Sequence, residues 1–193
     1  VAGLGLLGMV LLRHWKLLLL GLVVLSCFTL WSCVLVNQEQ VIFPGAYFPK
    51  TASAGPRDPR VEQVWLTADD GCRIEGWYEV GRGRSAASPG PAAIYFHGNC
   101  DTVDTAGWIL PHYAQLGVSI LIVEYRGYGR CEGEPSEKAI VADSVKFFDW
   151  LADRPEVDRT KIILHGQSLG GGVAVGVAGQ RKPAAMILEA TFT

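Results

Sequence analysis

The sequence lacks several features that would place it quickly in a functional class. Five cysteines are present, but they include no CxxC pair and no metal-ligand spacing, so we predict no metal site. We interpret the cysteines as packing residues, and their spacing leaves any disulfide unassigned. Positive charge is not in excess, since the formal net charge is -2, which argues against a nucleic-acid partner.

A dinucleotide site is not supported either, although one matching pattern is present. Gly3-Leu4-Gly5-Leu6-Leu7-Gly8 fits G-x-G-x-x-G, but only two residues precede Gly3 and the flanking sequence is apolar. Such a site needs a preceding strand and a following helix with an acidic residue downstream. We therefore interpret this stretch as a small-residue segment in an apolar leader.

The longest uncharged run, Leu17 to Val36, has the length and composition of a membrane-spanning helix. At about 1.5 Å per residue, a helix of this length spans about 30 Å, which is the hydrocarbon thickness of a bilayer. Arg13 and Lys16 precede the run, so the positive-inside rule places the N-terminus in the cytoplasm and the remainder across the membrane.

Two other interpretations of this run remain open. A cleaved signal peptide has a shorter apolar region and a small-residue cleavage site, and no A-x-A pattern follows here. A bacterial lipoprotein signal has a small-residue box before cysteine, which Val24-Leu25-Ser26-Cys27 matches poorly. We favour an uncleaved anchor, and all three interpretations place the domain on the non-cytoplasmic side, whether periplasmic, lumenal or extracellular.

The chain is predicted to divide into four parts. These are an N-terminal leader over 1–16, the anchor over 17–36, a juxtamembrane linker over 37–60 and a globular domain over 61–193. The domain begins with a hairpin and continues with alternating strands and helices, which is typical of a mostly parallel sheet flanked by helices. The predicted strands are 61–66, 72–80, 92–96, 119–123, 162–164 and 184–188, and the predicted helices are 103–115, 136–152 and 169–180.

The pentapeptide Gly166-Gln167-Ser168-Leu169-Gly170 lies between a predicted strand and a predicted helix, which is the context of a nucleophile elbow. In such an elbow a strained turn exposes the serine hydroxyl, and the flanking positions must be small, as Gly166 and Gly170 are. The amide of Leu169, at the start of the helix, can donate to a developing oxyanion. We therefore predict that Ser168 is a nucleophile.

A second oxyanion donor is expected on the loop that follows strand 92–96. His97-Gly98-Asn99 occupies this place, and Gly98 permits a tight turn. The amide of Asn99 is the best candidate for the donor. His97 itself is predicted to hold backbone rather than to carry a proton.

Two further histidines receive structural interpretations. His165 is too close in sequence to Ser168 to act as its base, because the elbow directs the serine away from the strand. His112 lies on the first predicted helix of the domain and is interpreted in the same way.

Six blocks stand out together in a fixed order: Val41–Pro44, Tyr95–Asn99, Glu124–Arg130, Glu132–Ser136, His165–Gly171 and Ile187–Thr193. Through them, the chain from about Ile42 onward resembles the membrane-anchored α/β-hydrolase-domain proteins, the single-pass branch related to serine aminopeptidase-like and monoacylglycerol-lipase-like hydrolases. Two departures flank the site without carrying its chemistry: Glu124 stands where Asp is usual, and Cys131 where Ser is usual.

The resemblance implies an eight-stranded α/β-hydrolase sheet with the elbow after strand five, and a triad in the chain order serine, acid, histidine. It places the acid after strand seven and the histidine after strand eight, whereas this chain ends just after strand six. No histidine follows Ser168, so the triad acid and histidine are absent from the chain. We expect a fragment of a longer protein rather than a complete but inactive product, and we expect the isolated chain to be inactive.

The predicted function is acyl transfer to water by a serine hydrolase, through a covalent acyl-enzyme and without a cofactor or metal. The substrate is expected to be an ester, thioester or amide. The anchor favours a small acyl or lipid substrate, and therefore an esterase or lipase, although anchors also localise peptidases. The alternative from another class is a non-catalytic binding or scaffold protein on a hydrolase fold.

Overall fold

The computed structural model describes residues 2–48 and 55–191, and the chain forms two compact units, Val1–Val41 and Ile42–Thr193. The first unit is dominated by helix α1, Ala2–Val36, and a short helix α2, Gln38–Ile42, follows it. The segment His14–Val36 of α1 has a mean hydropathy of 2.4 and is long and apolar enough to cross a membrane. The G-x-G-x-x-G pattern lies inside α1 rather than on a loop.

The second unit is built on a six-stranded mixed sheet whose spatial order is β1-β2-β4-β3-β5-β6. The strands β1 and β2 form the predicted antiparallel hairpin, and β2 also runs antiparallel to β4. The pairs β3–β4, β3–β5 and β5–β6 are parallel. The strand bounds are β1 Val61–Thr67, β2 Arg73–Glu79, β3 Gly90–Phe96, β4 Ser119–Val123, β5 Val157–Gln167 and β6 Ala185–Glu189.

Helices flank the sheet on both faces, as the alternating pattern predicts. On one face, Ala92, Ile94 and Phe96 of β3 share a core with α5, Glu137–Ala152, and α6, Leu169–Ala178. The intervening residues of β3, Ala93 and Tyr95, join a second core with α3, Val103–Ala106, and α4, Leu110–Gln115. Both faces of β3 are thus buried, because successive side chains of a strand point to opposite sides.

The predicted helix 103–115 is divided into three pieces. Between α3 and α4 lies a short 3₁₀ turn, Gly107–Ile109, and Pro111 occupies the first turn of α4. Proline has no amide hydrogen and fits the first turn of a helix, where that hydrogen would have no intrahelical partner. The predicted helical region 103–115 is therefore confirmed, but it is not one continuous α-helix, and Pro111 is the physical reason for the interruption.

The second unit begins earlier than the sequence pattern suggested. The sequence predicted a linker to residue 60, but Phe43 is buried in the core that contains α5 and α6, and Pro44–Tyr47 forms a 3₁₀ turn. Residues 49–54, which belong to the predicted linker, lie outside the described residues. The start of α5 agrees with the prediction, since Ser136 Oγ accepts a hydrogen bond from Ala139 N at 3.3 Å.

Candidate active site

Ser168 occupies the turn between β5 and α6 and has a backbone conformation that residues other than glycine rarely adopt. Its φ is 51° and its ψ is -114°. A non-glycine residue in such a conformation carries strain and persists only where its surroundings enforce it. Here Ser168 N donates to Glu189 O at 2.8 Å, and Thr191 Oγ1 donates to Ser168 O at 2.8 Å. Both peptide groups of Ser168 are thus fixed by the residues at and after the end of β6.

The glycines on either side of Ser168 stand where backbone segments meet. A Cβ at Gly166 would lie 2.5 Å from the carbonyl carbon of Gly170 and 2.6 Å from Gly171 Cα. A Cβ at Gly170 would lie 2.5 Å from the carbonyl carbon of Phe96, at the end of β3. These neighbours are backbone atoms, which cannot turn aside as a flexible side chain can. This close approach places the start of α6 against the end of β3.

Gly170→Ala is therefore expected to lower the free energy of unfolding by about 3 kcal/mol, the scale of a severe overpacking. Gly→Ala within a helix is ordinarily stabilising, so the sign of the change is diagnostic. Gly179→Ala is the matched control, because its Cβ would meet only Gly176 O at 3.4 Å and Val175 O at 3.8 Å. Urea denaturation of the two variants measures the difference. Equal stability of both would contradict the crowding at Gly170.

The loop 97–102, which carries the predicted donor Asn99, lies beside Ser168. The strands β3 and β5 are parallel neighbours, so their carboxyl ends meet at one edge of the sheet. A Cβ at Gly98 would stand 4.0 Å from Ser168 Cβ. Leu169 is the first residue of α6, where the amide has no intrahelical acceptor. Within 2–48 and 55–191, neither the Asn99 amide nor the Leu169 amide donates a hydrogen bond to a protein acceptor.

His97 is completely buried and holds backbone, as the sequence predicted. Its Nδ1 donates to Gly98 O at 2.8 Å, because a carbonyl oxygen can only accept. Its Nε2 lies 2.9 Å from Oε1 of Glu124, which is also fully buried. Tyr125 packs beside the imidazole, with ring centroids 4.2 Å apart. Both ring nitrogens are therefore occupied, which leaves neither of them for Ser168.

The other histidines of the second unit are also bound elsewhere. His165 Nδ1 is hydrogen-bonded to the hydroxyl of Tyr113 at 2.9 Å, and Nε2 lies 3.3 Å from Glu189 Oε2. Burial lowers the pKa of His165, although Glu189 opposes the shift. His112 Nδ1 donates to Trp108 O at 2.8 Å. Among the described residues no side chain is hydrogen-bonded to Ser168 Oγ, so none of them is in place to remove its proton.

Two contacts in this region were not predicted from the sequence. Thr191 fixes the carbonyl of Ser168, and a Cβ at Gly171 would lie 2.5 Å from Thr191 Cβ. Gly45 packs beside the 97–102 loop, since a Cβ there would lie 2.8 Å from Asn99 O. Thr191 belongs to one of the blocks that stand out in the sequence, and Pro44, directly before Gly45, belongs to another. The sequence does not show which of these blocks are in contact in the folded chain.

Comparison with known proteins agrees with this architecture. The family model described as serine aminopeptidase, S33, matches residues 87–193. An uncharacterized protein of Mycobacterium tuberculosis is 37% identical over 170 residues, which cover 85% of this chain and 56% of that protein. The protein bem46 of Schizosaccharomyces pombe is 32% identical over 167 residues, which cover 81% of this chain and 54% of that protein. The chain thus spans about half the length of these relatives.

Solved structures share the fold. The α/β hydrolase GrgF from Penicillium sp. sh18 has a TM-score of 0.60 and 26% identity, over 68% of this chain and 46% of that chain. An α/β hydrolase from Vibrio vulnificus has a TM-score of 0.64 and 24% identity, over 80% of this chain and 56% of that chain. The sheet, the turn at Ser168 and the match over more than half of the residues lead to one conclusion: the chain belongs to the serine aminopeptidase (S33) family of α/β hydrolases.

Proposed function

We propose that Ser168 is the nucleophile of a serine hydrolase that cleaves an ester, thioester or amide through a covalent acyl-enzyme. The observation that carries this proposal is the strained conformation of Ser168, with φ at 51°, between the end of β5 and the start of α6. Such strain at a strand-to-helix turn exposes a nucleophile above the sheet. The hydrolase family supports the general reaction, and the choice of ester over amide is part of the proposal.

In the proposed reaction, Ser168 Oγ attacks the acyl carbon while a base removes the hydroxyl proton. The carbonyl oxygen becomes an oxyanion, which the amides of Leu169 and Asn99 stabilise, with help from the positive end of the α6 dipole. Collapse of this intermediate breaks the bond to the leaving group, which takes up the proton from the base. Water then attacks the acyl-enzyme by the same route and releases the acid.

We propose that the base and the acid that orients it come from outside these 193 residues. Both nitrogens of His97 and of His165 are engaged with other groups, and His112 is turned to Trp108 O. A serine hydroxyl without a base is a poor nucleophile at neutral pH. The relatives are nearly twice as long as the matched stretch, which leaves room for both groups in proteins of this kind.

We further propose that α1 anchors the protein in a membrane with the domain on the non-cytoplasmic side. The span His14–Val36 and the basic residues Arg13 and Lys16 at its N-terminal end support this orientation. A small acyl or lipid substrate close to the bilayer would suit an anchored esterase or lipase. In this proposal 1–16 is the leader, and the hydrolase domain begins at about Ile42, where the second unit starts.

Fluorophosphonate labelling of the full-length gene product in isolated membranes tests these proposals. We expect one labelled band that stays in the membrane pellet after a carbonate wash, and we expect it to vanish in Ser168→Ala. Turnover of p-nitrophenyl butyrate and of an aminoacyl p-nitroanilide separates esterase from peptidase activity. A folded wild-type protein without a Ser168-dependent adduct would instead indicate a non-catalytic binding protein on a hydrolase fold.

A further inference from the structure

A short segment, 43–46, directly follows α2 and is fixed to the second unit in two ways. The side chain of Phe43 is buried in the core that contains α5 and α6. The backbone then turns, because Ala46 N donates to Phe43 O at 3.2 Å and Phe48 N donates to Gly45 O at 3.3 Å. Gly45 is buried within this turn. The buried aromatic ring and the turn together determine where Gly45 lies.

Gly45 is in contact with the loop residue that carries the proposed oxyanion donor. A Cβ at Gly45 would lie 2.8 Å from Asn99 O, and it would collide with the ring of Tyr128, whose Cδ1 would be 2.6 Å away. The next residue also packs closely, since a Cβ at Gly127 would lie 3.3 Å from Ala46 Cβ. The backbone at Gly45 therefore lies directly against Asn99, and only glycine leaves room for this approach.

The ring of Tyr128 cannot move aside easily, because it is part of a packed aromatic cluster. Tyr128 is completely buried, and its ring packs edge-on against Tyr125, with centroids 5.5 Å apart. Its centroid lies 6.0 Å from that of His97, the first residue of the loop. The hydroxyl of Tyr125 donates to His97 O at 2.8 Å. A side chain at position 45 would thus displace either this cluster or the loop itself.

We propose that Gly45 is a positioning residue that holds the Asn99 amide in place as an oxyanion donor, so that the chain following α2 forms part of the active site. This inference rests on the proposed function, because it assigns Gly45 a task in that reaction. An oxyanion donor acts only when it is aimed in advance at the developing charge. Loop 97–102 is neither helix nor strand, so its shape depends on what packs against it.

Gly45→Ala in the full-length protein is therefore expected to lower kcat for p-nitrophenyl butyrate by about 10- to 100-fold, with KM within about twofold of wild type. A displacement of about 1 Å in a catalytic group can cost about 100-fold in rate, and substrate binding outside the oxyanion pocket is not touched. Gly179→Ala is the matched control, because its Cβ would meet no atom closer than Gly176 O at 3.4 Å. Its kcat should equal that of the wild type.

A transition-state analogue provides a readout that a general loss of stability would not change. With 1,1,1-trifluoroheptan-2-one, Ser168 Oγ adds to the carbonyl carbon, the base takes the hydroxyl proton, and the former carbonyl oxygen becomes an oxyanion beside the two amides. The Ki of this ketone should rise in Gly45→Ala by the factor by which kcat/KM falls. Titration with a fluorophosphonate gives the concentration of active sites, so that a smaller folded fraction is not read as a lower kcat.

A second variant acts on the other attachment of the segment. Phe43→Leu keeps an apolar side chain but leaves the buried site of the ring partly empty, so the segment is held less firmly. We expect kcat to fall by about 3- to 10-fold, again with KM nearly constant. Tyr47→Leu is the matched control, because Tyr47 is 58% exposed and should not affect kcat.

The outcomes separate this inference from the function on which it rests. Thermal melting establishes which variants are folded, and Phe43→Leu decides the matter if Gly45→Ala does not fold. A fall in kcat that the Ki of the ketone follows, with both controls unchanged, supports the inference. A folded Gly45→Ala protein with the kcat and Ki of the wild type, or with a change in KM alone, overturns it. A wild-type protein that is not labelled at Ser168 overturns the proposed function itself, and the role of Gly45 with it.

Discussion

Replacing Ser168 by alanine in the full-length protein is expected to lower kcat for p-nitrophenyl butyrate by about 10⁵- to 10⁶-fold, the scale seen when a serine nucleophile is removed. The reason is that no other nucleophile of the described chain shares the strained turn between β5 and α6. KM should change little, because the alanine leaves the walls of the site intact. Steady-state kinetics, together with the mass of the acyl-enzyme trapped at low pH, measure the effect.

His165→Asn provides the control for this prediction. His165 is the histidine nearest to Ser168 in sequence, but its ring is held between the hydroxyl of Tyr113 and the carboxylate of Glu189. We expect the kcat of His165→Asn to fall less than about tenfold, because the substitution loosens the end of β5 and does not remove a base. A fall as large as that of Ser168→Ala would identify His165 as the base and contradict its predicted structural role.

The sequence predicted well those features that depend on neighbouring residues. The bounds of β4 were predicted without error, because four consecutive apolar residues, three of them β-branched, follow Ser119 in a strand buried on both faces. Helix α5 starts at its predicted cap because Ser136 and the apolar spacing are both local signals. The pattern around Ser168 also predicted a turn from strand to helix, which the structure contains.

Features that depend on distant parts of the chain were not predictable in the same way. The sheet order, in which β4 lies between β2 and β3, follows from how the whole sheet packs, and no motif records it. Phe43 looked like part of a linker because only the tertiary fold supplies its partners. Glu124 was interpreted as a flanking residue because its contacts with His97 and Val103 lie 27 and 21 residues away in sequence.

The largest effect on stability is expected from Arg126, which lies in the same block as Glu124. Its guanidinium donates from Nε and Nη2 to the two carboxylate oxygens of Asp143, both at 2.7 Å. The side chains of Arg126 and Asp143 are 9% and 4% exposed. Removing one partner of a buried ion pair leaves the other charge without compensation, at a cost of about 3–5 kcal/mol. Arg126→Met is therefore expected to lower the free energy of unfolding by that amount in urea denaturation.

The pH dependence of Arg126→Met identifies the cause of the loss. Burial raises the pKa of Asp143 even with Arg126 beside it, and without Arg126 only the weaker attraction of Lys146 opposes that shift. A carboxyl whose folded pKa exceeds its unfolded pKa stabilises the fold when protonated, and this stability is lost as the pH rises through the folded pKa. The loss of unfolding free energy caused by Arg126→Met should therefore become smaller as the pH falls toward the ordinary pKa range of aspartate.

Two further variants complete the argument about Arg126. Asp70→Asn removes its other partner, an exposed carboxylate that accepts from Nη1 at 2.7 Å, and should leave the urea midpoint near that of the wild type, because solvent screens such a pair. Arg126→Met combined with Asp143→Leu should recover most of the lost stability, since the unpaired charge is gone. A double variant as unstable as Arg126→Met would show that packing of the Arg126 stem, and not its charge, stabilises this part of the sheet.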